Sequence, residues 1–119
     1  MKKTALQPLV ILCLLLGAAA ASRAETKAIV FASILPQRYF IEQIAGDRVQ
    51  VRVMVAPGSS PATYEPKPRQ MVELAEAAAY FAVGVPFERV WLSKIAAANP
   101  AMRIFHTDDG VEKITMSAQ

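Results

Sequence analysis

The chain has 119 residues, enough for one domain and too few for two. Hydrophobic residues make up 54% and charged residues 19%, and Cys13 is the only cysteine, which excludes a disordered chain, a disulfide-stapled mini-protein and a cysteine-based zinc finger. The formal charge of +3 points toward nucleic acid only until its location is known.

Residues 1–24 read as a secretory signal peptide. Lys2 and Lys3 form a basic start, residues 9–16 (LVILCLLL) a short apolar run, and Ser22-Arg23-Ala24 places small residues where a signal peptidase cuts. A run of that length is too short for a permanent membrane span, so a retained anchor is the weaker alternative. Cleavage after Ala24 leaves 95 residues carrying ten basic and ten acidic side chains, a net charge of zero, and no nucleic-acid partner is expected. Cys13 departs with the leader. Its place behind Leu12, inside the apolar run, argues against a lipoprotein.

Residues 28–32 (AIVFA) form an unbroken β-branched and aromatic run, the pattern of a strand covered on both faces. Residues 33–36 break it, Pro36 suits a first helical turn, and Phe40, Ile41, Ile44 and Ala45 recur at helical spacing before a stop at Gly46. Residues 49–55 (VQVRVMV) alternate, predicting an edge or half-covered strand. Residues 56–67 (APGSSPATYEPK) are a loop stiffened by Pro57, Pro61 and Pro66. Pro68 opens a second helix with Met71, Leu74, Ala75 and Ala78 on one stripe. A third strand is predicted at 80–83, and a third helix with Phe87, Val90, Trp91 and Ile95 inward ends at Asn99-Pro100. Residues 102–105 (MRIF) make a fourth strand and 106–110 (HTDDG) a turn.

The order β-α-β-α-β-α-β predicts an α/β fold: a parallel four-stranded sheet with helices on both faces, joined by right-handed crossovers. Ligands of such sheets bind beyond the carboxyl ends of the strands, where residues 33–37, 56–67 and 106–109 lie. The twelve-residue loop is long for a βα connection, and either a ligand-positioning or a purely structural role accounts for it. No phosphate-binding glycine pattern and no nucleophile elbow is present, and one histidine without cysteine cannot close a zinc site. These residues describe a binding module rather than an enzyme.

Residues 55–71 (VAPGSSPATYEPKPRQM), residues 32–37 (ASILPQ) and the stretch from Gly84-Val85-Pro86-Phe87-Glu88 to Trp91-Leu92 resemble the N-terminal lobe of the zinc/manganese solute-binding proteins of bacterial ABC transporters. The resemblance covers essentially the whole chain after the leader. It implies one lobe of a bilobed fold, a periplasmic location, and capture of a divalent metal, zinc or manganese, as transported ligand and not as catalytic cofactor. The implied partner is an ABC permease in the inner membrane. The remaining ligands, in a missing C-terminal lobe joined by a long helix, make residues 25–119 a truncated form or a fragment.

Many members of that family carry a histidine where this chain has Ala62, which cannot ligate. By the resemblance the first-lobe ligand is then absent, or its role falls to a neighbour such as Tyr64 or Glu65, although Glu65 equally suits capping of the next turn. His106, at the end of the fourth strand, is a second candidate metal ligand; a turn histidine capped by Asp108 is the plainer account. Trp91, Tyr80, Met54, Met71 and Met102 are expected in the core. A receptor for another solute, a non-functional remnant, or a small flavodoxin-like enzyme are the rival readings.

Overall fold

The computed structural model describes residues 25–114, so the signal-peptide expectation for residues 1–24 lies outside the described residues. Four strands, β1 (Ala28–Ala32), β2 (Val49–Val53), β3 (Ala79–Ala82) and β4 (Arg103–His106), form one parallel sheet in the order β2-β1-β3-β4. Helices α1 (Leu35–Ala45), α2 (Pro68–Leu74) and α3 (Glu88–Ala98) connect them, and a 3-10 turn over Gly46–Arg48 follows α1. The chain steps left from β1 to β2, then crosses back over β1 to β3 and on to β4. Right-handed crossovers in opposite directions put α1 on one face and α2 with α3 on the other. The predicted α/β architecture is the observed one.

Register assigns the two faces. Phe31 pairs with Tyr80 and Tyr80 with Ile104, so these three share a face, and they pack with Met54, Leu74, Ile95 and Met102 under α2 and α3. The opposite face carries Val30, Ala32, Phe81 and Phe105. There Phe81 and Phe105 stack with ring centroids 5.3 Å apart. Helix α1 packs on β2 and β1 without burying any residue fully, leaving Tyr39, Phe40 and Ile44 exposed.

The same device starts α1 and α2. A proline stands in the first turn, and a glutamine at the third position accepts the N–H of the residue before the helix: Gln37 from Ile34 at 3.2 Å, Gln70 from Lys67 at 2.9 Å. Gly46 ends α1 with a positive φ of 60°, its N–H bonded to the carbonyl of Glu42.

Four expectations need correction. Helix α2 stops at Leu74, short of Ala75 and Ala78, because the Asn99 side-chain amide takes the carbonyls of Leu74 and Ala77 and the N–H of Ala78 bonds to Ile29. Val90 is exposed, since five helical positions place it roughly 140° around α3 from buried Ile95. His106 is the last residue of β4, paired with Ala82, and not the first of the turn. Regular β2 ends at Val53, although Met54 and Val55 still donate to Ala32 and Ser33.

Candidate functional site

The strand order reverses between β1 and β3, and open α/β sheets hold their ligands outside that switch point. Ser33 follows β1 there and is fully buried; Glu88, the first residue of α3, is 4% exposed. The Ser33 hydroxyl donates to the Glu88 carboxylate, so the Tyr80 hydroxyl, 2.7 Å from Ser33 Oγ, donates in turn to Ser33. Glu88 also accepts the N–H groups of Val83 at 3.1 Å and Gly84 at 2.7 Å. Three donors and the amino end of a helix stabilise the buried carboxylate. Burial pushes the Tyr80 phenol well above its ordinary range, and the Glu88 charge adds to this. Tyr80 is a core residue, as expected, with a polar tip that the core also uses.

Beside this cluster Gly84 has a φ of 78°, and a side chain on it would run into Asp108 and Lys113. Asp108 pairs with Lys113 and does not cap His106. The Lys113 hydrogen bond holds the Asp108 carboxyl below the usual carboxylate range against the effect of desolvation, and the nearby His106 adds a lesser contribution. Among the described residues, buried Asp108 Oδ1 has no hydrogen-bond partner.

The loop 56–67 leaves β2 at the same end of the sheet and is fixed at several points. Gln70 Nε2 donates to the Met54 carbonyl at 2.7 Å, while Gln70 Oε1 accepts from the Tyr64 hydroxyl at 2.7 Å and from the Lys67 N–H at 2.9 Å. The Phe87 N–H donates to the Pro61 carbonyl at 3.1 Å, and the rings of Tyr64 and Phe87 meet edge to face at 5.8 Å. Tyr64 and Pro66 are buried, whereas Ala62 and Glu65 are exposed. The Tyr64 hydroxyl is held by Gln70.

Glu65 lies on the loop after β2 and His106 ends β4, and these strands are the opposite edges of the sheet. Among the described residues, no three His, Cys, Asp or Glu side chains converge as a cation site. Sequence reasoning missed Ser33, Glu88 and Gln70 as organising residues. The available signals were the serine ending an apolar strand, a glutamate four residues after a turn glycine, and a glutamine two residues after a helix-opening proline.

The family described as zinc-uptake complex component A, periplasmic (ZnuA), matches residues 30–119. The chain belongs to this family. Within the ZnuA family, a crystal structure of ZnuA is 43% identical over 76% of this chain and 35% of its own, with a TM-score of 0.71. The Mn-bound periplasmic metal binding protein from Candidatus Liberibacter asiaticus, at 21% identity over 76% of this chain and 34% of its own and a TM-score of 0.68, shares the fold. A putative metal-binding protein of Chlamydia trachomatis serovar D is 32% identical over 65 residues, 55% of this chain and 24% of its own. One from Chlamydia muridarum is 37% identical over 60 residues, 50% of this chain and 22% of its own. This ZnuA-family chain thus spans about a third of the solved structures and about a quarter of the curated relatives it matches.

Proposed function

We propose that residues 25–119 are the first lobe of a periplasmic receptor that captures a divalent metal, zinc before manganese, and passes it to an ABC permease in the inner membrane. Residues 1–24 are its export signal. The reading is that of a binding protein, not an enzyme. What carries it is the family match over residues 30–119, a span that includes the loop 56–67 fastened beside the switch point. Glu65 and His106 are exposed, and neutral imidazole with carboxylate suits zinc and tolerates manganese. One lobe supplies a partial shell, and a second lobe supplies the rest.

The test is a zinc titration against a chromophoric chelator. The full chain is expected to bind on the order of millimolar, and Ala62→His to tighten binding tenfold or more, about 1.4 kcal/mol. Glu65→Gln and His106→Ala each weaken it. Nanomolar binding by the unaltered chain, or no response to Ala62→His, overturns the half-site reading. Ala62 itself favours a second reading, a receptor for another solute, and a thermal-shift screen of metals against small organic ligands separates the two.

A further inference from the structure

One side chain outside the loop 56–67 ties it at three places. Gln70 reaches back from the first turn of α2 to three points: the Met54 carbonyl before the loop, the Tyr64 hydroxyl within it, and the Lys67 N–H at its end. All three contacts fall at 2.7–2.9 Å, and each end of the carboxamide is used. Only a group that donates at one end and accepts at the other fits here. An ionised carboxylate cannot donate to Met54, and an ammonium cannot accept from Tyr64 and Lys67. Tyr64, once held, sets its ring against Phe87, whose N–H in turn holds Pro61. Ala62 and Glu65 lie within two residues of Tyr64, so its placement governs theirs.

We propose that Gln70 is the positioning residue of this loop: its carboxamide fixes the loop's resting conformation without any metal, and metal capture draws on that conformation. The second half of the statement rests on the metal-receptor reading; the first does not. Loss of a group that orients ligands from behind typically costs 10–100-fold in metal affinity.

The test is Gln70→Glu in the full chain, a near-isosteric change. At pH 7 the carboxylate faces the Met54 carbonyl and the donor is lost. Near pH 4, at or below the ordinary glutamate pKa of about 4.3, a protonated carboxyl can donate again. Glu73, on the same helix as Gln70, pairs with Arg52 of β2 at 2.9 Å and with Arg69 at 3.2 Å, so the unaltered chain is followed in parallel at both pH values. The readouts are amide exchange at Lys67 and Phe87, and proximity of the Tyr64 and Phe87 rings by nuclear Overhauser effect. Zinc affinity is measured at pH 7.

The expected result is faster exchange and loss of the ring contact at pH 7, both restored near pH 4, with zinc binding about tenfold weaker at pH 7. Tyr64→Phe, which keeps the ring and removes one bond to Gln70, shifts the same readouts less and serves if Gln70→Glu does not fold. An unchanged loop in both variants overturns the proposal. A loosened loop with unchanged zinc affinity overturns its link to capture. If the unaltered chain takes up no zinc, the receptor reading fails, while exchange and ring contact still decide whether Gln70 sets the loop.

Discussion

Ser33 donates its hydroxyl hydrogen to Glu88 across 55 positions of sequence, joining the end of β1 to the start of α3 at the point where the strand order reverses. Truncation to Glu88→Ala leaves the buried Ser33 hydroxyl and the part-buried N–H groups of Val83 and Gly84 without their acceptor. The expected cost is about 3 kcal/mol in urea unfolding. Ser33→Ala, which keeps the two backbone bonds, is expected to cost about 1–2 kcal/mol. Equal costs would show that the carboxylate does not serve the backbone donors.

Gly84→Ala meets two obstacles. A left-handed φ costs an L-residue roughly 1–2 kcal/mol, and the new methyl group displaces the Asp108–Lys113 pair. Stability should fall by about 2 kcal/mol or more, and Lys113→Ala in the same chain should recover part of the loss. Recovery in the double variant, measured by thermal unfolding, separates crowding from backbone strain.

Two groups set opposite limits on the pH range of stability. The Asp108 carboxyl sits below its unfolded value, so the unfolded chain binds more protons in acid. Its contribution is present above about pH 3.9 and is lost as pH falls toward the folded pKa. Asp108→Asn should flatten that acid limb of the stability curve. Tyr80 lies well above its unfolded value of 10.0, so its contribution is present below that pH and lost as pH rises through 10 and beyond. An alkaline titration followed at 295 nm should show Tyr80 ionising only as the chain unfolds, and Tyr80→Phe should remove that step.

The outer side of α1 makes a contrast with α3. Ile44 is 80% exposed and Phe40 64%, whereas Ile95 is fully buried. Ile44→Glu with Phe40→Ser should change stability by no more than about 0.5 kcal/mol each and reduce self-association in sedimentation velocity. Ile95→Ala should cost about 2–5 kcal/mol.

The strands were legible because each is a local event: AIVFA has no polar residue, and VQVRV alternates as an edge strand must. Proline and glycine marked where α1 begins and ends. The end of α2 was not legible, because Asn99, 25 residues away, takes the Leu74 carbonyl. Nor could local pattern show that Glu88 is buried, since its burial depends on a serine and on backbone groups that only the sheet brings together. The long loop stood out by its prolines, yet the side chain that fastens it lies beyond its end. Glu65 and His106 stood out in the sequence by residue type, and Glu65 also by its place beside Ala62. Which of them faces a common ligand depends on how the loop is placed relative to β4, and no short-range signal carries that.

The strand order also dictates a schedule. Strand β1 lies inside the sheet, but its second neighbour, β3, begins 47 residues later, at Ala79. A chain emerging from its amino end can zip β1 to β2 early, by a short-range pairing, while the other edge of β1 waits with its backbone groups unpaired. That edge is a ready template for a neighbouring chain until β3 slots in and Glu88 closes over Ser33.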